Sequence, residues 1–228
     1  MTRRESLRHC TALLALAAGA GSFVPRAASA ATAAGATKIL VVGDSLSAEY
    51  GLQRGSGWVA LMDQRIAAEG LRASVVNASI SGDTTSGGRA RLPALLRQHH
   101  PDLVILELGA NDALRGLPLD ESRANLAAMA QAAKAAGARV LILGMQIPPN
   151  YGRNYSDQFA ALFVNVARDV GAALVPFILK GVADVPQAER MFQPDRIHPL
   201  AVAPPTILAN IWPVLEPMLR QPARAGAR

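Results

Sequence analysis

The sequence predicts an α/β domain: a parallel sheet with helices on both faces. Three observations carry that prediction. Five apolar runs of strand length recur along the chain; they are continuous rather than alternating, as strands covered on both faces require; and segments with apolar residues three and four apart separate them. Strand followed by helix, repeated, is the pattern of a parallel sheet with helical crossovers.

In chain order the strands are read in "KILVVG" (38–43), "ASVVNAS" (73–79), "DLVILELG" (102–109), "ARVLILGMQ" (138–146) and "AALVPF" (172–177). The helices between them are "GWVALMDQRIAAEG" (57–70), "GRARLPALLRQHH" (88–100), "ESRANLAAMAQAAKAAG" (121–137) and "SDQFAALFVNVARDVG" (156–171). Gly70, Gly137 and Gly171 follow apolar stripes as C-terminal stops, and Ser156 reads as an N-cap. A last helix runs from about Pro204 to Leu219, with Pro213 and Pro217 expected to kink or shorten it. No repeat, linker or domain boundary interrupts the series.

The first thirty residues read as a cleaved export signal and stand outside the fold. Arg3, Arg4 and Arg8 precede an apolar stretch from Cys10 to Val24, and Ala28-Ser29-Ala30 is a small-residue cleavage site. That stretch is too short and alanine-rich for a comfortable membrane span. Cys10 lies before it, whereas a lipoprotein anchor would place the cysteine after it. The start "TRRESLR" is similar to the twin-arginine export pattern, which leaves both export routes open. The expected mature protein is a single domain of residues 31–228, periplasmic or secreted, with no stable membrane anchor. Of 23 basic and 17 acidic residues, cleavage removes four arginines and one glutamate, leaving 19 against 16. A net charge near +3 is no nucleic-acid footprint. Cleavage also removes the one cysteine, which excludes an internal disulfide, a thiol nucleophile and any cysteine-based metal site. A monomer is expected.

In parallel sheets of this kind ligands bind where the loops leaving the C-terminal strand ends converge. The first strand is followed by Asp44 and Ser45, the second by "NASISGDTTSGG" with Gly82, and the third by "GANDALRG" with Asn111 and Asp112. "MQIPPNYGRNY" follows the fourth, and near the chain end "QPDRIHP" sets Asp195 three residues before His198. Each has an ordinary reading: Ser45 as a helix cap, Gly82 as a relaxed turn, Asn111 as an Asx-turn, Asp195 as a cap of the final helix and His198 as a solvated loop residue. Together these readings require polar residues to gather at one edge by chance.

A serine nucleophile needs a base. His99 and His100 end a helix, leaving His198, with Asp195 close enough to fold back onto its imidazole. Asp102 precedes its strand, Glu107 lies inside one, and Asp112 reads as structural. Three oxyanion donors stand in these loops: the N–H of Ser45, the N–H of Gly82 and the side-chain amide of Asn111.

Read as four ordered blocks, "GDSLS", "ASISGDTTSGG", "GAND" and "DRIHP", the chain resembles the SGNH (GDSL) hydrolase family, whose signature residues match Ser45, Gly82, Asn111 and His198 with Asp195. The likeness covers essentially the whole mature chain. It implies a flavodoxin-like three-layer sandwich with a five-stranded parallel sheet. It also implies a serine ester and thioester hydrolase of arylesterase, thioesterase or lysophospholipase type, working through an acyl-enzyme on Ser45 without metal or cofactor. The small-molecule acyl substrate is expected against Leu114, Leu117, Ile147, Pro148 and Tyr151. Two segments depart from the family's usual pattern, "LAVAPPTILANIWP" after Pro199 and a short "MQIPPNYG". The alternative on the same scaffold is a carbohydrate O-acetyl esterase, whose site would be shallow and polar. The nucleophile-elbow motif G-x-S-x-G of lipase-type folds is absent.

Overall fold

The computed structural model describes residues 35–147 and 149–221. The expected signal, residues 1–30, lies outside them. Five strands form one sheet: β1 (Thr37–Gly43), β2 (Ala73–Asn77), β3 (Leu103–Glu107), β4 (Arg139–Leu143) and β5 (Ala173–Val175). All neighbours pair in parallel in the order β2-β1-β3-β4-β5, which is the flavodoxin-like order. Ile39–Val42, Val104–Leu106 and Leu141–Leu143 are shut off from solvent, whereas the edge strand β2 is half exposed. Continuous apolar runs therefore mark the central strands, and the edge is more mixed.

Among the described residues six α-helices cover the sheet: α1 (Trp58–Ala68), α2 (Thr85–His99), α3 (Ala110–Leu114), α4 (Leu119–Ala135), α5 (Arg153–Val170) and α6 (Pro204–Arg220). α1 packs on α6, while α2 and α5 each pack on α4, giving three layers. Gly88 of α2 sits so close to the sheet that a Cβ there would lie 2.3 Å from Leu108 Cδ1, so glycine sets the spacing of α2 from the core.

Three expectations need correction. α2 starts at Thr85, not near Gly88, because the Thr84 hydroxyl caps it by accepting from Gly87 N at 3.3 Å. Ser156 is not the N-cap of α5: the helix begins three residues earlier at Arg153, and the Ser156 N–H already donates to Gly152 O at 3.0 Å inside the first turn. α6 is not shortened by its prolines but runs on to Arg220. Ala209, Pro213 and Pro217 lie four residues apart on its exposed face, so the carbonyls that lose a helical donor at Ala209 and Pro213 face water. The opposite face buries Ile207, Leu208, Ile211, Trp212, Leu215 and Leu219. Across the seam to α1, the Arg65 guanidinium lies 4.2 Å from the Trp212 ring centroid.

If that buried stripe holds α6 despite its prolines, Leu215→Ala will lower unfolding free energy by about 2–5 kcal/mol in urea denaturation. Val202→Ala, at an exposed position just before the helix, will change it by less than about 0.5 kcal/mol.

Candidate active site

Ser45 leaves the end of β1 in an irregular turn, and no helix begins until Trp58. It is therefore not a helix cap. The turn is closed by Ala48 N–H to Asp44 O at 2.9 Å and Tyr50 N–H to Ser45 O at 3.2 Å. The Asp44 carboxylate accepts from Leu46 N at 3.1 Å.

His198 reaches this turn from a hairpin near the chain end. Gln193 N–H donates to His198 O at 2.7 Å and Leu200 N–H to Met191 O at 2.8 Å, which pairs the two arms across a bridge between Phe192 and Pro199. Within the hairpin Asp195 folds back: its Oδ1 accepts from Ile197 N at 2.9 Å and His198 N at 3.0 Å, and its Oδ2 lies 2.7 Å from His198 Nδ1. Imidazole Nε2 is 2.9 Å from Ser45 Oγ. Hydrogen bonding to His198 holds the Asp195 carboxyl down at about 2. It is then an acceptor only, so Nδ1 carries the proton and Nε2 offers its lone pair to the serine hydroxyl.

Gly82 stands in the loop after β2 with φ of 79°, a conformation that favours glycine. Arg115 donates from Nη2 to Gly82 O at 2.8 Å, and Arg91 fixes the loop through Asp83 at 2.8 Å. Among the described residues the backbone N–H groups of Ser45 and Gly82 donate to no protein acceptor. Asn111 lies in the first turn of α3, a helix too short to show as a periodic pattern. Its amide donates to Asp44 Oδ2 at 3.1 Å and Asp83 O at 2.9 Å. Asp112 is structural, as expected: it accepts from Thr85 N at 2.9 Å, Thr85 Oγ1 at 2.5 Å and Ser122 Oγ at 3.2 Å.

A small depression opens beside Ser45 and His198, lined otherwise by Leu46, Tyr50, Leu52, Trp58, Pro199, Pro204 and Ile207. Leu114, Leu117, Ile147 and Tyr151 do not line it. Leu114 is half-buried at the end of α3, Ile147 is buried, Leu117 and Tyr151 are exposed, and Pro148 lies outside the described residues.

Three contributors were given no role in the site by the sequence. Tyr50 lays its ring over the His198 imidazole, centroids 4.2 Å apart and planes tilted by 36°. Gln193 clamps the histidine hairpin to the serine turn, donating from Nε2 to Tyr50 O at 3.0 Å and Pro199 O at 3.2 Å. Glu107 sits beneath the turn, where its Oε2 accepts from Ser47 Oγ at 2.7 Å and Asp44 N at 3.3 Å. Glu107 alone could have been suspected, as a lone acid in an apolar strand.

Glu107 and Asp44 form a buried carboxyl pair. Burial and the neighbouring Asp44 charge push Glu107 well above the usual carboxylate range, and burial raises Asp44 to about 6. Glu107 thus keeps its proton and donates it in a hydrogen bond to Asp44. The unfolded chain releases that proton near the ordinary value of 4.5 while the folded chain holds it. This contribution to stability is therefore undiminished below that pH and falls as pH rises. Glu107→Gln, which imitates the protonated acid, will gain stability relative to wild type as pH is raised from 4.5 to 8 in thermal unfolding. A constant difference would mean that Glu107 is ionised in the folded state.

Comparison with known proteins identifies the family and the fold. Residues 41–202 match the GDSL-like Lipase/Acylhydrolase family. The chain is 53% identical to "Esterase TesA" of Pseudomonas aeruginosa over 82% of its length and 91% of the relative's. It is 41% identical to "Thioesterase 1/protease 1/lysophospholipase L1" of Escherichia coli over 82% of its length and 87% of the relative's. Among solved structures, TesA superposes with a TM-score of 0.77, covering 80% of this chain and 99% of that one. The esterase EstA from Pseudoalteromonas, inhibited by monoethylphosphonate, superposes with a TM-score of 0.75 at 39% identity, covering 81% and 100%. With its five-stranded parallel sheet, its four loop motifs in order and 53% identity to an esterase over 186 aligned residues, the chain belongs to the GDSL-like lipase/acylhydrolase, or SGNH hydrolase, family.

Proposed function

We propose that this carboxylic ester hydrolase acts on small acyl esters and thioesters through an acyl-enzyme on Ser45, with His198 as base and Asp195 as its orienting acid. The observation that carries the assignment is the line of contacts from Ser45 Oγ to His198 Nε2 at 2.9 Å and from Nδ1 to Asp195 at 2.7 Å. As Ser45 Oγ attacks the acyl carbon, its proton passes to Nε2, and Asp195 balances the imidazolium. The carbonyl π electrons move onto oxygen, which the N–H groups of Ser45 and Gly82 and the Asn111 amide receive. That these two backbone donors stand without protein partners supports this role, because neither is already committed within the fold. Both Asn111 protons are engaged at rest, so donation to the oxyanion draws on its longer bond, the one to Asp44. Collapse breaks the bond to the alcohol or thiol, which takes the proton from Nε2. Water then gives its proton to His198 and its oxygen to the acyl carbon, freeing the acid and Ser45.

The esterase and thioesterase names of the relatives support the substrate class. The leader-like start supports export of a domain of residues 31–228 to the periplasm or beyond. Among the described residues, no helix is long and apolar enough to cross a membrane.

The test is labelling of the purified protein by a fluorophosphonate probe, with hydrolysis of p-nitrophenyl esters from acetyl to palmitoyl measured alongside. Ser45→Ala will lose both labelling and turnover; equal labelling of variant and wild type would refute the nucleophile assignment. Asn111→Ala will lower kcat by roughly 100- to 1000-fold. It will also lower Tm, because Asp44 loses a donor, but by less than Leu215→Ala does.

A further inference from the structure

Glu107 touches neither substrate nor base in the mechanism above, yet a continuous line of hydrogen bonds joins it to a group that does. The line starts at its carboxyl, which donates its proton to the Asp44 carboxylate, while Oε2 accepts from Ser47 Oγ at 2.7 Å and Asp44 N at 3.3 Å. It continues at Asp44 Oδ2, which accepts from the Asn111 amide at 3.1 Å. The second proton of that amide goes to Asp83 O at 2.9 Å. Asn111 therefore meets an oxyanion by loosening its bond to Asp44, and whatever governs that bond governs the donor.

We infer that Glu107 is a positioning residue of the oxyanion hole: through Asp44 it sets how readily the Asn111 amide turns from its resting partner to the substrate oxygen. The inference rests on the oxyanion role given to Asn111 above. Its reason is electrostatic. The Asp44 carboxylate and the developing oxyanion are both negative and compete for one N–H, and Asp44 is closed to solvent, where like charges repel more strongly than in water. A proton donated by Glu107 draws the charge of Asp44 away from Asn111, which lowers both the competition and the repulsion. The fold makes room for this contact. Gly43 and Glu107 are register partners in β1 and β3, and a Cβ on Gly43 would lie 2.8 Å from Glu107 Oε2. Glycine at the end of β1 thus lets the carboxyl in beneath the serine turn. Among the described residues the Glu107 side chain bonds only to Asp44 and Ser47, both in that turn, so its polar contacts serve the site and no other part of the chain.

The test is a double-mutant cycle between Glu107→Met and Asn111→Ala. It is read as kcat/KM for p-nitrophenyl butyrate at pH 8, per active site titrated with the fluorophosphonate probe, so that misfolded protein does not count. Methionine keeps the bulk of the side chain and removes its donor and its acceptor. Against the wild-type background Glu107→Met should lower kcat/KM roughly tenfold. Against Asn111→Ala it should cost nothing further, because the group it acts through is already gone. Glu107→Gln should recover most of the loss, since its amide can donate to Asp44 and accept from Ser47 and Asp44 N. Should Glu107→Met not fold, Gly43→Ala carries the same cycle: it leaves Glu107 in the chain but crowds its carboxyl out of place. Equal losses in both backgrounds would mean that Glu107 supports the fold alone and would overturn the inference, as would a Gln variant as slow as the Met variant. An Asn111→Ala variant as active as wild type would refute instead the oxyanion reading on which it rests.

Discussion

β1 pairs with β2 on one side and β3 on the other, yet it sends the chain to a different face from either neighbour. From β1 the chain runs into α1, which packs with α6; from β2 and β3 it runs into α2 and α4, which pack together on the opposite face. A gap must open where the connections part, and it opens over the C-terminal end of β1. Ser45 stands in that gap because it is two residues past Gly43. The loops that carry Gly82 and Asn111 flank it because β2 and β3 are the immediate neighbours.

Beneath the gap lies a polar layer inside an apolar core. Glu107, Asp44, Ser47 and Asp112 are all nearly closed to solvent. Such groups are costly to bury unless every one is satisfied. Here one proton serves two carboxyls, and the remaining lone pairs are filled by Ser47, Leu46 and Asn111. The same bonds tie the turn after β1 to the end of β3 and to α3. The serine turn is thus fixed from below by hydrogen bonds, while the histidine hairpin is fixed from the side by the Gln193 amide.

What could be read in advance follows from how far each signal reaches. Runs such as Ile39–Val42 and Leu103–Leu106 announce themselves because burial on both faces demands every residue. Ser45, Gly82, Asn111, Asp195 and His198 were legible because each follows a strand or sits in a short motif, and only one histidine was eligible. α3 was not, since five residues span little more than a helical turn. The start of α5 was misjudged because a serine that could cap lay three residues inside the first turn, after a glycine that does the turning. Tyr50, Gln193 and the walls of the depression act across long sequence distances, and nothing local marks them.

α6 is the element whose composition argues most against it. Proline in a helix interior costs about 3 kcal/mol relative to alanine, and this helix contains two beyond its first turn. Such a segment cannot hold a helix by itself; it is helical because it is docked. Forming α6 and closing the seam with α1 are therefore one event, in which Trp212 meets Arg65 and Leu215 enters the core. Pro204 and Ile207 arrive with it, so the wall beside Ser45 is complete only once α6 has docked.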